Sequence, residues 1–173
     1  MRLRGLLDRL VLLVGVLAGG VLPGFVQQYR QRIGGRLDEA RQQLGEWQAL
    51  ADRLFGGDLD ALAAHHRQSS DTTFAAEAAL IEQTQARVLE LEQTLAALQG
   101  SLWERTAGFL THADWMDVQA TWSLFQPDFP LHPETLFFAL CFGGAVWLLW
   151  LGLVRGVVHV AVGRRRERRI FAG

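Results

Sequence analysis

Residues 136–154, LFFALCFGGAVWLLWLGLV, decide the fold. They run for about 19 positions without a charge, close to the ~20 that an α-helix needs to cross a hydrocarbon core. Arg155 follows at once, and Arg164, Arg165, Arg166, Arg168 and Arg169 come soon after. A second apolar run, residues 10–26, lies near the other end and is preceded by Arg2, Arg4 and Arg9. Both runs thus carry arginine on their terminal side. Under the positive-inside rule, both termini are then cytoplasmic and the polar middle faces the other side. The expected architecture is an all-α membrane protein: two transmembrane helices flanking a helical, coiled-coil-like extramembrane hairpin. Its segments are a cytoplasmic N-terminus 1–9, helix 10–26, a periplasmic helical domain 27–131, a second span 132–156 and a basic cytoplasmic tail 157–173.

Charge follows the same division. Residues 27–131 hold eight Arg against fifteen acids, whereas the last 19 residues hold six Arg against Glu167 alone, so a net charge of −1 conceals an acidic centre and a basic tail. Arg164, Arg165, Arg166, Arg168 and Arg169 are expected to contact anionic lipid headgroups, each contributing on the order of 1 kcal/mol. Nucleic acid is not an expected partner, because the domain between the spans is acidic and phosphate binding needs a basic face. Every basic residue is Arg, with no Lys or Asn, as in a GC-rich bacterial coding sequence. Cys141, the only cysteine, falls within the second run, so no intramolecular disulfide framework is available.

The first run also resembles a secretory signal, having an Arg-rich start, an apolar stretch and the small-residue sequence Val16-Leu17-Ala18. Against cleavage there, the apolar run continues to Val26, and retention as an anchor is the preferred reading. Its Gly15-x-x-x-Gly19 and Gly20-x-x-x-Gly24, with Gly152-x-x-x-Gly156 in the second run, allow close helix contact. They serve either dimerisation or packing of one span on the other.

Between the spans, Leu37, Ala40, Leu44, Trp47, Ala51 and Leu54 follow Ile33 at alternating steps of three and four, an apolar seam on one helix face. Gly34 and Gly35 predict a kink or fray near its start. Gly56 and Gly57 end the helix, and Asp58 is placed to cap a short helix from Leu59 to about Gln68. After a further cap among Ser69, Ser70 and Asp71, a second seam carries Phe74, Ile81, Val88, Leu95 and Leu102, interrupted at Thr84 or Gln85. The two long helices are expected to pack as an antiparallel hairpin. Gly100 then stops the chain before a capping box, Ser101 with Glu104.

Residues 103–125 crowd Trp103, Phe109, Leu110, Trp115, Met116, Trp122, Leu124 and Phe125. Tryptophan suits headgroup depth, so Trp115 and Trp122 are expected to contact lipid headgroups; the competing reading places them in the core of a three-helix bundle. Pro127, Pro130 and Pro133 stop helix propagation, with Pro133 well placed to start the second span.

No chemistry-bearing pattern stands above this background. His65 and His66 are adjacent and point about 100° apart on a helix, and His112 with Asp114 or Asp117 has no zinc-like spacing. There is no nucleophile elbow or phosphate-binding glycine loop, and no paired carboxylates stand out from the solvated faces. The expectation is no enzyme, with no catalytic, cofactor-binding or metal-ligating residues and no cofactor.

The chain resembles an uncharacterised bacterial inner-membrane family, one of the domains of unknown function with two transmembrane spans. The likeness rests on the Arg-flanked first span, on residues 22–29 (LPGFVQQY), 37–40 (LDEA), 51–53 (ADR), 55–59 (FGGDL) and 125–127 (FQP). It covers nearly the whole length, implies the two-span architecture and supplies no activity. Expected partners are the anionic bilayer and either a protein partner or a second copy through the helices. The function expected is a scaffold or interaction module of the cell envelope, with an accessory subunit of a membrane transporter or enzyme complex as the alternative.

Overall fold

The computed structural model describes the backbone of residues 2–127 and 132–170 and the side chains of residues 5–127 and 132–154. Among the described residues every regular element is helical: α1 Arg2–Leu54, α2 Leu59–Arg67, α3 Thr72–Ala97, α4 Leu102–His112, α5 Trp115–Leu124 and α6 Pro133–Ile170. The chain divides into two compact units, one formed by residues 1–25 and 126–173, the other by residues 26–125.

Helix α1 is one unbroken element of 53 residues, where the sequence suggested a span followed by a second helix with a weak junction. Pro23 lies inside it. A proline there withdraws one N–H from the ladder, which apolar surroundings tolerate when neighbouring helices support the turn. Gly34 and Gly35 also remain helical; their flanks at Ile33 and Leu37 are buried, so tertiary packing outweighs the ~1 kcal/mol propensity cost of each glycine.

In the unit of residues 1–25 and 126–173, α1 and α6 approach through glycine. A β-carbon added at Gly15 would stand 3.1 Å from the Gly143 α-carbon, and one at Gly19 would stand 3.0 Å from the Ala139 α-carbon. At Gly143 it would run into the Val16 backbone. Nearer the N-terminus, the Trp150 indole donates to Asp8 Oδ1 at 3.1 Å. The opposite faces stay open, with Leu10, Leu13, Leu17, Leu140, Leu148, Leu149 and Leu153 all exposed.

The unit of residues 26–125 is a helical hairpin with additions at both ends. Ile33, Leu37, Ala40 and Ala51 of α1 are buried, as are Ala78, Ile81, Leu91 and Leu98 of α3. Ala51 and Ile81 share a cluster with Leu59, Leu62 and Ala63 of α2, flanked by Leu44 and Trp47. Together with the Arg41–Glu92 ion pair (2.7 Å), this sets α1 and α3 antiparallel. Gly56 and Gly57 turn the chain at positive φ, and Asp58 accepts from the Ala61 amide to start α2. Asp71 caps α3 by accepting from Thr73. Thr84, the polar interruption of the second seam, is buried with its hydroxyl donating to the Leu80 carbonyl.

Both seams end earlier than their periodicity suggests. Leu54 is 66% exposed and Phe74 45% exposed, because α2 covers the core one turn inside them. The expected break at Gly100 is present, and Ser101 and Glu104 cap α4 reciprocally. Residues 103–125 form two helices rather than one, since Asp114 accepts from the Met116 and Asp117 amides and starts α5 anew. Helix α4 can seat on α3 only because residue 108 is glycine: any β-carbon there would collide with the Ala97 carbonyl.

Candidate functional site

The most developed polar feature lies within the hairpin unit, where α1, α3 and the α4–α5 corner enclose a cleft of about 510 Å³. Its floor is built around Asp117, which is only 5% exposed although it opens the first turn of a short helix. Arg32 Nε donates to Asp117 Oδ1 at 3.2 Å, and Arg36 Nη1 donates to Oδ2. Arg32 and Arg36 are four residues apart on α1, so both reach the same carboxylate from one face. A buried carboxylate needs such partners, since an unpaired charge in that place would cost several kcal/mol. Thr121 lies one turn further along α5 and donates to the Asp117 carbonyl at 2.7 Å.

Tyr29 completes the floor. It is fully buried, its ring meets Phe109 edge-on at 5.1 Å, and its hydroxyl accepts from the Asp114 amide at 3.0 Å. Burial raises the Tyr29 hydroxyl above its ordinary pKa, the Asp114 amide acting in the opposite sense. The remaining walls are Arg87, Glu90, Leu91 and Thr94 from α3, with His112, Asp114 and Met116 from the corner.

Arg36, beside the seam residue Leu37, is half-buried against Asp117. His112 and Asp117 do share the cleft, but Asp117 is occupied by arginine. His65 and His66 diverge, His66 being buried between the Trp47 and Phe74 rings. Among the described residues no three potential metal ligands gather.

The glycines divide by role. Gly15 and Gly19 are consumed by packing against α6, Gly20 is buried and Gly24 half-buried, whereas Gly152 faces open space. Gly156 and the side chains of Arg164, Arg165, Arg166, Arg168 and Arg169 lie outside the described residues. Trp115 and Trp122 are 68% and 67% exposed, which removes the reading that buries them in a bundle core. Seven residues apart on α5, they line one shallow apolar depression with Val118, Gln119 and Ser123. The Arg32–Arg36–Asp117 cluster had no sequence signal, because its members stand 81 and 85 residues apart.

These features define an all-α protein with two helices long and apolar enough to cross a membrane. The chain belongs to the family described as protein of unknown function DUF2937, whose model matches residues 3–163. No curated protein and no solved structure matches it.

Proposed function

We propose that this chain is an integral protein of a bacterial inner membrane, with both termini cytoplasmic, that serves the envelope as a non-catalytic scaffold or interaction module. The observation that carries the reading is the outward face of the α1–α6 pair. The core helix of a water-soluble protein is mostly buried, yet only 33% and 17% of the two apolar windows are buried here, and leucine covers what remains. An apolar surface that large suits lipid tails rather than water. Glycine contact between the first run and α6 favours a retained helix over a cleaved signal, because cleavage would strip α6 of its partner face. The exposed Trp115 and Trp122 suit headgroup depth.

Reporter fusions after Gln68 and after Gly173 test the topology. Opposite compartments are expected, with the intact N-terminus retained in the mature protein. The same compartment for both, or a mature chain starting near Gly19, overturns the proposal. Crosslinking in the native membrane followed by mass spectrometry then identifies what the module holds, self-assembly supporting the scaffold and a fixed-stoichiometry complex the accessory role.

A further inference from the structure

We infer that the cleft among α1, α3 and α5 is a binding site for a small zwitterion carrying a phosphate and an ammonium group, the chemistry of phosphoethanolamine. The argument starts from charge. The lining holds three arginines, Arg32, Arg36 and Arg87, and three acids, Glu90, Asp114 and Asp117, so it is balanced rather than basic. Internal pairing consumes only part of this. Asp117 takes one N–H from each of Arg32 and Arg36, which leaves that trio with one surplus positive charge and most of its guanidinium donors unused.

Across the cleft, Arg87 and Glu90 lie almost one turn apart on α3, both exposed, and neither forms a salt bridge among the described residues. Asp114 accepts from the Met116 and Asp117 amides through Oδ1 and forms no salt bridge among the described residues. Two cationic positions and two anionic ones therefore remain open around one cavity.

A bare anion would meet Glu90 and Asp114 unfavourably, and a bare cation would meet Arg87 and the surplus charge of the trio. A zwitterion satisfies both signs. Phosphate suits the cationic side better than carboxylate does, because guanidiniums approach from two walls and a tetrahedral anion offers oxygens in several directions, whereas a carboxylate offers two in one plane. The ammonium is left for Glu90 and Asp114. A volume of about 510 Å³ lies in the ordinary range for small-ligand sites. The lining belongs wholly to residues 26–125, so the inference stands apart from the membrane proposal.

The test is calorimetric titration of the purified full chain, in a nonionic maltoside detergent, with O-phosphoethanolamine. Saturable one-site binding is expected, with inorganic phosphate, ethanolamine and glycine each weaker by about tenfold or more, the effect of losing one charged hydrogen bond. Arg87→Gln should weaken phosphoethanolamine by a similar factor. Glu90→Gln should weaken phosphoethanolamine and leave phosphate unchanged or tighter. Both positions are exposed, and an unchanged circular dichroism spectrum verifies that the variants fold. Absence of saturable binding, phosphate or glycine binding as tightly as phosphoethanolamine, or indifference to both substitutions would overturn the inference. Mass spectrometry of co-purified lipid separates the sources: phosphatidylethanolamine retained by the native chain and lost in Arg87→Gln assigns a lipid headgroup. Equal lipid in both, with soluble binding intact, supports the same site with the free compound as its ligand. Binding of the soluble compound by a chain that fails the topology test would refute the membrane proposal alone.

Discussion

The Asp114 amide donates to the Tyr29 hydroxyl at 3.0 Å, joining the cap of a ten-residue helix to the middle of a helix of 53 residues. This bond fixes where α5 begins, and through α5 it fixes Asp117 in front of Arg32 and Arg36. Tyr29→Phe keeps the edge-on contact with Phe109 but leaves the amide without its acceptor. A loss of about 1–2 kcal/mol in unfolding free energy is expected, with faster hydrogen exchange at the Asp114 amide. The hydroxyl pKa is raised by burial, so its stabilising contribution is complete below the ordinary value of 10.0 and is lost as pH climbs through the raised value. Tyr29→Phe should abolish that alkaline component of a stability-against-pH curve.

Asp117→Asn removes the countercharge shared by Arg32 and Arg36. Both arginine side chains keep about a third of their exposure, so the expected cost is about 2 kcal/mol, below the 3–5 typical of a fully buried pair. Replacing all three together, Asp117→Leu with Arg32→Met and Arg36→Met, should recover most of the loss. Thermal unfolding of the unsubstituted chain, Asp117→Asn and the triple variant in detergent measures this, and a triple variant worse than Asp117→Asn would show that the cluster contributes net stability.

Gly143→Val places a branched side chain where the Val16 backbone already stands, whereas Gly152→Val enters open space. The first should lower stability in detergent by about 2 kcal/mol, as overpacking does, and the second should leave it unchanged. If Gly152→Val instead dissolves a crosslinkable dimer, the free glycine face joins two copies.

The capping box gives a second pH dependence, of opposite sign to that of Tyr29. Glu104 is held below its ordinary value of 4.5, first by the Ser101 amide and then by the Ser101 hydroxyl. Its contribution is therefore complete above 4.5 and disappears as pH falls through the depressed value. Nuclear magnetic resonance of the helix α4 amides should show fraying at the Ser101 end in that acidic window, and Glu104→Gln should flatten the response.

Single-tryptophan variants in nanodiscs examine α5. Strong quenching of Trp115 and Trp122 by headgroup-level labels is expected from their shared exposed face. Lack of quenching at both would detach this face from the bilayer and assign it to a protein partner.

Much of this molecule was legible in the sequence where the determinants are local. Asp58, Asp71 and the Ser101–Glu104 pair mark helix starts because a cap needs only a side chain and an amide two or three residues away. Ile33, Leu37, Ala40 and Ile81 were legible because burial on one face imposes a period. Continuity through Pro23, Gly34 and Gly35 was not, since local propensity opposes it and distant packing decides. Nor was the cleft. Arg32 and Arg36 look like solvated arginines until α5 brings Asp117 to them, and no period encodes a meeting across more than 80 residues.

The seam between α1 and α6 bears on how this chain can vary in descent. Seven residues separate Asp8 from Gly15 and seven separate Trp150 from Gly143; four separate Gly15 from Gly19 and four separate Gly143 from Ala139. The helices are therefore matched step for step in opposite directions. Inserting one residue between Asp8 and Gly19 would turn everything before it by about 100° and misalign the earlier contacts at once. Outward leucines can be exchanged for other apolar residues at little cost. A gained or lost residue within the seam can be tolerated only with a compensating change in the facing helix, so length here should prove far more constrained than composition.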